Sequence, residues 1–232
     1  MTRPSSLLSL RRSIVAALPL PIASAARDVK RSIKNLRAPE RVFKNIYSNN
    51  AWDGTESVSG PGSTMAATAN IRAALPALLA ELGVKTLLDV PCGDAHWIST
   101  CLPKDVRYIG GDIVPAIVES NQRRHADLGE FMVLDLVKDD LPEVDMIVVR
   151  DCFIHFPNHL ILEALRNIKR ARVSYILTTS FIDVGENIDI EIGGFRPIDL
   201  TLPPFALRKP LCLIAESEQR SKNVALWRSI DL

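Results

Sequence analysis

The sequence has little of several features that mark particular classes of protein. Its four cysteines are scattered, with no Cys-x-x-Cys pair and no histidine–cysteine cluster at zinc spacing, so a disulfide scaffold or a zinc module is not indicated. Aromatic residues are only 6% of the 232 residues, and the formal net charge is +1, which does not favour a highly basic nucleic-acid-binding protein. We therefore expect no bound metal and no nucleic-acid partner.

Long apolar runs are also lacking. The stretch Ser13–Ala26 is interrupted by two prolines and falls short of the roughly 20 apolar residues that span a bilayer. It follows Arg11 and Arg12 and has the outline of a signal peptide. The prolines and the positive charge that continues to Lys44 instead favour a surface arm or a membrane-touching segment.

The charge is distributed unevenly along the chain. Residues 1–45 contain ten basic and two acidic residues, whereas the remainder contains 18 basic and 25 acidic residues. We divide the chain into a basic arm, residues 1–44, partly disordered or helical with a helix over 28–44, and a domain, residues 45–232. The arm is a candidate for peripheral contact with a membrane. We expect cytoplasmic localisation, with membrane association through the arm as the alternative, and the oligomeric state stays open.

The domain alternates short apolar segments with amphipathic ones. Its 47% hydrophobic and 24% charged residues are typical of globular proteins. The pattern predicts a helix from about Met65, a helix over 158–171 and seven strands, at 86–90, 106–110, 131–134, 146–150, 174–178, 211–215 and 223–227. Fully apolar strands between helices indicate a mostly parallel α/β sheet covered on both faces. The last two strands form an antiparallel pair after an insertion at about 182–208.

Carboxylates follow three successive predicted strands. Asp89 and Asp94 bracket the first strand end, Asp112 follows the second strand and Asp135 the third. In an open α/β sheet, ligands bind at the carboxyl ends of the strands. An acidic turn is a poor site for a pyrophosphate, which disfavours an NAD-binding oxidoreductase, and it suits a ligand that is cationic or rich in hydroxyl and amine groups. The alternative is that these aspartates only cap turns and helices.

These residues resemble the first motif and the following acidic positions of the class I S-adenosylmethionine (SAM)-dependent methyltransferases. Asp89 takes the acidic position, Pro91 stands for the first glycine, Gly93 keeps the second and Ala95 replaces the third. The resemblance implies a Rossmann-like fold and SAM as the cofactor, with the methionine part at the first motif, the ribose at Asp112 and the adenine at the third strand. The implied cofactor-binding residues are Trp52, Ser63, Asp89, Pro91, Cys92, Gly93, Asp94, Asp112, Ile113, Asp135, Leu136 and Arg150.

A narrower resemblance covers most of the chain after residue 45. The segments that carry it are Asn45-Ile-Tyr-Ser, Trp52, Ser59-Gly-Pro-Gly-Ser63, Arg150-Asp-Cys-Phe-Ile-His155-Phe, Leu177-Thr-Thr-Ser-Phe181, Phe195-Arg-Pro-Ile-Asp-Leu200 and Leu226-Trp227. They are similar to a bacterial, glycan-associated methyltransferase subfamily that resembles the nodulation-factor fucose 2-O-methyltransferases. This implies methyl transfer to a sugar hydroxyl.

The segment after the fourth strand supplies the candidate catalytic residues. His155 is the candidate base because its unperturbed pKa lies near 6.5. Asp151 lies four residues earlier, so one helical turn places it beside His155, where it orients the imidazole or takes the proton itself. A histidine buried between phenylalanines is the alternative. Arg150 is expected to contact the cofactor or to pair with a carboxylate such as Asp112 or Asp135.

Two further regions are assigned to the site. Trp52 and Ser59–Ser63 form a lid that excludes water, or a plain surface loop with Trp52 in the core. Arg196 and Asp199 hold the hydroxyl groups of the acceptor, or form a surface ion pair. Two alternative functions stay open: a small-molecule or lipid methyltransferase with the same cofactor, and a non-catalytic, membrane-associated α/β module.

Overall fold

A computed structural model describes residues 38–217 and 221–232, which contain one seven-stranded mixed sheet. The strands are β1 (Thr86–Asp89), β2 (Arg107–Asp112), β3 (Glu130–Val133), β4 (Met146–Val149), β5 (Tyr175–Phe181), β6 (Cys212–Ser217) and β7 (Lys222–Arg228). Their order in the sheet is β3-β2-β1-β4-β5-β7-β6, with β1 to β5 parallel and β7 antiparallel to both of its neighbours. The predicted α/β fold with an antiparallel C-terminal pair is confirmed.

Helices cover both faces of this sheet. They are α1 (Ala38–Ser48), α2 (Ala69–Glu81), α3 (Pro115–Arg124) and α4 (Asn158–Arg170). Helix α4 packs its apolar face with the insertion into one core cluster, which includes Ile161, Ile168 and Leu200. Helix α2 packs into the cluster on the other face through residues such as Leu75 and Leu79. Burial on both faces explains why β4 is a continuous apolar run.

The predicted start of α2 differs from the structure. Helix α2 begins at Ala69 rather than at about Met65, because Thr64 organises a separate turn in which its hydroxyl accepts a hydrogen bond from the Ala67 N–H. The helix then continues through Pro76. Gly83 follows its end with a φ of +67°, a left-handed conformation that glycine adopts without steric cost.

The N-terminal arm lies mostly outside the described residues. Helix α1 crosses position 44, and Glu40–Leu232 form one compact unit. The predicted division at residue 44, the arm's helix and its contact with a membrane stay predictions. No helix among the described residues has both the length and the apolarity to cross a membrane.

Candidate active site

A cavity of about 540 Å³ runs along the carboxyl ends of the parallel strands. One end lies over the tips of β1, β2 and β3, and the other lies beside β4, β5 and the start of β7. This is the edge at which ligands bind in open α/β sheets. Except for two insertion residues, the whole predicted site lines it: Trp52, Ser63, Asp89, Pro91, Cys92, Gly93, Asp94, Asp112, Ile113, Asp135, Leu136, Arg150, Asp151 and His155.

The three strand-end carboxylates share one end of the cavity, which we call the acidic end. Asp89 and Asp112 are buried, and Asp135 is half-buried. Asp89 Oδ2 accepts a hydrogen bond from the Tyr108 hydroxyl at 3.0 Å, whereas its Oδ1 has no hydrogen-bond partner among the described residues. Asp135 accepts a hydrogen bond from the Val137 N–H at 2.9 Å, so it also caps a turn. Asp135 therefore caps a turn and lines the cavity at the same time, so the capping interpretation does not exclude the ligand-binding one.

Asp112 shapes the turn that follows β1, which we call the first turn, and it also lines the cavity. Its Oδ1 accepts a hydrogen bond from the Val114 N–H at 2.9 Å, and its Oδ2 accepts one from the Gly93 N–H at 3.1 Å. The Gly93 carbonyl in turn accepts a hydrogen bond from the buried Asn121 side chain at 2.7 Å. Sequence reasoning missed Asn121, because one polar residue on the buried face of a helix was the only signal.

Burial dominates the electrostatics of the acidic end. Desolvation raises the pKa of Asp89 to about 7, although the Tyr108 hydroxyl and the charge of Arg150 act in the opposite direction. It raises the pKa of Asp112 to about 6 against the backbone hydrogen bonds that favour the charged form. Both carboxylates therefore gain from a ligand that brings positive charge or hydrogen-bond donors.

The predicted lid residues, Trp52 and Ser59–Ser63, lie in a segment over 49–63 that contacts the first turn. We call this whole segment the lid. Asp94, predicted to bind the cofactor, uses its carboxylate to hold this segment: it accepts hydrogen bonds from the Ser57 hydroxyl at 2.9 Å and the Val58 N–H at 3.0 Å. Gly93 has a φ of +52°, and a Cβ there would overlap the Ser59 hydroxyl. Close contact with the lid therefore requires glycine at this position.

His155 lies at the opposite end of the cavity, which we call the acceptor end. Its Nδ1 is 2.7 Å from the Gly194 carbonyl oxygen, and its ring stacks on Trp52 at a centroid distance of 4.9 Å. Since a carbonyl oxygen only accepts, Nδ1 carries the hydrogen and Nε2 of the neutral ring keeps its lone pair. Burial lowers the pKa of His155, which favours this neutral form.

Asp151 does not orient His155 as the sequence predicted. Only Phe153–His155 form a short 3₁₀ turn, and Asp151 has a φ of +52°, which turns its side chain towards β7 instead. Its Oδ2 accepts a hydrogen bond from Lys222 Nζ at 2.7 Å, and its Oδ1 accepts one from the Thr179 hydroxyl at 3.0 Å. These partners and Arg150 lower the pKa of Asp151 despite its burial, so it is a poor proton acceptor.

Arg150, Asp151, Glu216 and Lys222 form a cluster that we call the charge quartet. Arg150 Nε donates to Glu216 Oε1 at 2.7 Å, and its Nη1 lies 3.3 Å from Asp151 Oδ2. Its Nη2 donates to the carbonyl of Gly62 in the lid at 2.7 Å. Arg150 pairs with carboxylates, as one of the two interpretations predicted, but they are Asp151 and Glu216 rather than Asp112 or Asp135.

Sequence reasoning also missed Glu216 and Lys222. They lie at facing ends of β6 and β7, so the antiparallel pairing brings them together. The available signal was a single charged residue at the end of each apolar strand of the predicted hairpin.

The prediction for Arg196 and Asp199 is wrong in position, because neither residue lines the cavity. Arg196 is buried and donates to two carbonyl groups and to Asn158 Oδ1. Asp199 accepts hydrogen bonds from the N–H and hydroxyl of Thr201, within its own turn. Asp199 stabilises a turn of the insertion, and Arg196 joins the insertion to the 3₁₀ turn of Phe153–His155 and to the start of α4.

The few aromatic residues are concentrated at this cavity. Seven of the thirteen in the sequence line it: Phe43, Tyr47, Trp52, Trp97, Phe156, Phe181 and Phe195. Of these, Trp52 and Phe195 lie beside the His155 ring, at centroid distances of 4.9 Å and 6.1 Å, so they form an apolar wall there. Within residues 38–217 and 221–232, no group of three or more His, Cys, Asp or Glu side chains has an arrangement that holds a metal ion.

Comparison with known proteins identifies the fold. No protein-family model matches the sequence, and no curated protein matches it. Among solved structures, magnesium protoporphyrin IX methyltransferase from Synechocystis PCC 6803, with bound SAM, is similar at a TM-score of 0.56 and 10% identity, over 82% of this chain and 96% of that chain. The chain has the Rossmann-like fold of these methyltransferase structures.

Two further structures share this fold. Burkholderia thailandensis 1,6-didemethyltoxoflavin-N1-methyltransferase, with bound 1,6-didemethyltoxoflavin and S-adenosylhomocysteine, has a TM-score of 0.57 at 16% identity over 81% of this chain and 87% of that chain. Human N-acetylserotonin methyltransferase, in complex with SAM, has a TM-score of 0.51 at 14% identity over 84% of this chain and 68% of that chain. The names of the three proteins refer to three different acceptors, so the shared fold does not identify an acceptor.

Proposed function

We propose that this protein is a SAM-dependent methyltransferase. The observation that carries the proposal is the acidic end, where carboxylates from three adjacent strand tips line one cavity. The fold supports it, since two structures with the same fold contain SAM and a third contains S-adenosylhomocysteine.

The chemistry of the donor set fits this cofactor. SAM presents an ammonium group, two ribose hydroxyls and an adenine amine, all of which donate hydrogen bonds. Asp89 offers an unpartnered Oδ1, and Asp112 and Asp135 retain lone pairs beside the backbone N–H groups that they already accept from. Gly93 and its neighbours hold the methionine part, Asp112 holds the ribose, and Asp135 with Leu136 holds the adenine.

His155 is the base in this proposal. When bound, SAM would supply an electrophilic methyl group for the acceptor oxygen, with S-adenosylhomocysteine as the leaving group. The Nδ1–H of His155 is held by the Gly194 carbonyl, which leaves Nε2 to accept the proton of the acceptor hydroxyl. The stacked ring of Trp52 keeps the imidazole in place and excludes water from that side of the cavity.

For the acceptor, we propose a hydroxyl group on a sugar, because the sequence segments from Arg150 and from Phe195 resemble those of glycan-modifying methyltransferases. The aromatic wall of the acceptor end fits the apolar face of a sugar ring. The same wall favours a second candidate, a small aromatic acceptor carrying a hydroxyl group. Both candidates need the same base and the same cofactor.

Isothermal titration of the purified protein with SAM tests the cofactor. We expect saturable binding that weakens by at least about tenfold in Asp112→Ala, since the ribose then loses a charged hydrogen-bond partner. Folded protein that produces no binding heat with SAM would count decisively against the proposed function.

Radiolabelled methyl transfer from SAM into oligosaccharide and cell-envelope fractions tests the reaction. His155→Ala is expected to lower the transfer rate by about 10²–10⁴-fold while SAM affinity is retained, because it removes only the base. His159→Ala is the matched control, since His159 is exposed on α4 outside the cavity and its loss should leave transfer unchanged. Equal transfer by both variants would exclude His155 as the base.

A further inference from the structure

Lys222 reaches the acceptor end from the last part of the sheet. It is the first residue of β7 and pairs in register with Phe181, the last residue of β5. Both residues line the cavity, as does Asp151 from the neighbouring β4 tip. Asp151 and Lys222 also act on the charge of His155, the first favouring and the second opposing its protonation. Lys222, Asp151 and His155 therefore line the same cavity.

Lys222 keeps one hydrogen-bond donor without a partner among the described residues. Its Nζ donates to Asp151 Oδ2 at 2.7 Å and forms an ion pair with Glu216 Oε2 at 3.1 Å. An ammonium group has three N–H donors, so one remains. With its side chain only 14% exposed, Lys222 has little access to water for this third donor.

Asp151 keeps acceptor capacity at the same place. A carboxylate has about four lone-pair sites. Among the described residues, Asp151 uses one for the Thr179 hydroxyl, one for Lys222 and one for the 3.3 Å contact with Arg150. The wall of the cavity thus presents an unused donor on Lys222 and an unused acceptor on Asp151, two side chains that are hydrogen-bonded to each other.

The charges around this pair select the ligand chemistry. Two basic and two acidic side chains make up the charge quartet, so its formal charge is zero. An anionic ligand is repelled by Asp151 and Glu216, and a cationic ligand is repelled by Arg150 and Lys222. A neutral hydroxyl both donates and accepts a hydrogen bond, so it matches the adjacent donor and acceptor.

We propose that Lys222 and Asp151 form a subsite that binds a second hydroxyl of the acceptor, next to the hydroxyl that His155 deprotonates. This inference rests on the proposed function and narrows its substrate class to compounds with two neighbouring hydroxyls. Sugars and catechols share this chemistry. An acceptor with a single hydroxyl leaves a poorly solvated N–H of Lys222 unpaired. A site with such an unpaired group discriminates strongly against ligands that lack the second hydroxyl.

Binding of defined probes to the protein loaded with S-adenosylhomocysteine tests the subsite. The probes are methyl α-L-fucopyranoside and its 3-deoxy analogue, which has no two neighbouring hydroxyls, for the sugar arm, and catechol and phenol for the aromatic arm. We expect either the sugar or catechol to bind at least about tenfold more tightly than its matched analogue, since a hydrogen bond to a charged group is lost in the analogue. The arm that binds identifies the source of the diol.

The variants remove the subsite without leaving an unbalanced charge. Lys222→Met combined with Glu216→Gln removes one charge of each sign, and Lys222→Arg keeps the charge while moving the donor. Both should reduce the affinity for the compound with neighbouring hydroxyls to that of its matched analogue and leave affinity for S-adenosylhomocysteine unchanged, a difference that general misfolding would not produce.

Two outcomes overturn the subsite. One is a wild-type protein that binds S-adenosylhomocysteine but neither diol more tightly than its analogue. The other is a diol preference that survives in both variants. A folded wild-type protein that does not bind S-adenosylhomocysteine would instead refute the proposed function. Failure of the subsite and failure of the proposed function are therefore distinguishable.

Discussion

At the scale of single residues, burial determines which charges the acidic end carries. Asp89 and Asp112 are buried at strand tips, and desolvation raises their pKa values to about 7 and about 6 despite the hydrogen bonds that they accept. A raised carboxyl pKa means that the folded protein holds the proton more tightly than the unfolded chain. These two groups therefore stabilise the fold at acidic pH, and this contribution is lost as the pH rises through about 6 to 7.

Cofactor binding should release protons near neutral pH. SAM brings an ammonium group and hydroxyl donors that favour the ionised carboxylates, so its affinity should increase as the pH is raised from about 5 to about 8. Titrations at about pH 6.5 in two buffers of different ionisation enthalpy measure the protons released.

The variant Asp89→Asn separates this effect from general changes with pH. It should release fewer protons on binding, because an amide does not titrate in this range. Equal binding heats in the two buffers for the wild-type protein would show that neither carboxylate changes its protonation when SAM binds.

The residues also show where sequence reasoning reaches its limit. Asp89, Asp112 and Asp135 were predictable because parallel strands end at one edge, so their positions follow from the strand pattern. The pairing of Asp151 with His155 was not, because it depended on a helical turn that the positive φ of Asp151 prevents. Polar residues four apart predict a shared face only where the backbone is already known to be helical.

At the scale of elements, the lid depends on the first turn of the sheet. Asp94 holds the lid through two hydrogen bonds, and Arg150 holds its other end through the Gly62 carbonyl. Trp52, which precedes both attachments in the sequence, stacks on His155. The acidic motif therefore has a further role that the sequence did not reveal, since Asp94 was predicted to bind the cofactor or to cap a turn, and not to attach a distant loop.

Asp94→Ala should release the lid at the first turn. Two hydrogen bonds to a carboxylate are lost, so we expect SAM affinity to fall by about tenfold or more and the fluorescence of Trp52 to become more accessible to acrylamide. Asp105→Ala is the matched control, because Asp105 forms only an exposed pair with Lys85 and should leave both readouts unchanged. Unchanged quenching in Asp94→Ala would show that this attachment does not hold the lid.

The elements themselves were largely predictable, whereas the insertion was not. Apolar runs located all seven strands to within a few residues, and the periodicity of α4 predicted its buried face. In the insertion, Arg196 was interpreted as a surface or ligand-binding residue, but it is buried because carbonyl groups of the surrounding loops need donors. Such loops have no periodic pattern, so their polar contacts cannot be derived from the sequence alone.

At the scale of the whole molecule, the charge quartet connects parts that are distant in the sequence. Arg150 directly follows the parallel strand β4, Glu216 and Lys222 belong to the antiparallel hairpin, and Gly62 belongs to the lid. The Arg150 and Glu216 side chains are 3% and 1% exposed, so their charges are balanced by the quartet rather than by water. Removing one partner of such a buried pair costs about 3–5 kcal/mol.

Glu216→Gln should therefore lower the free energy of unfolding by about 3 kcal/mol, measured by urea denaturation, because Arg150 and Lys222 are left with one carboxylate. Adding Lys222→Met should recover part of this loss, since it restores the balance of charge around Asp151. Glu130→Gln is the control: Glu130 pairs with Arg107 at the surface, and its loss should change stability by no more than about 0.5 kcal/mol. If the double variant is less stable than Glu216→Gln alone, charge balance is not what stabilises the junction between sheet, hairpin and lid.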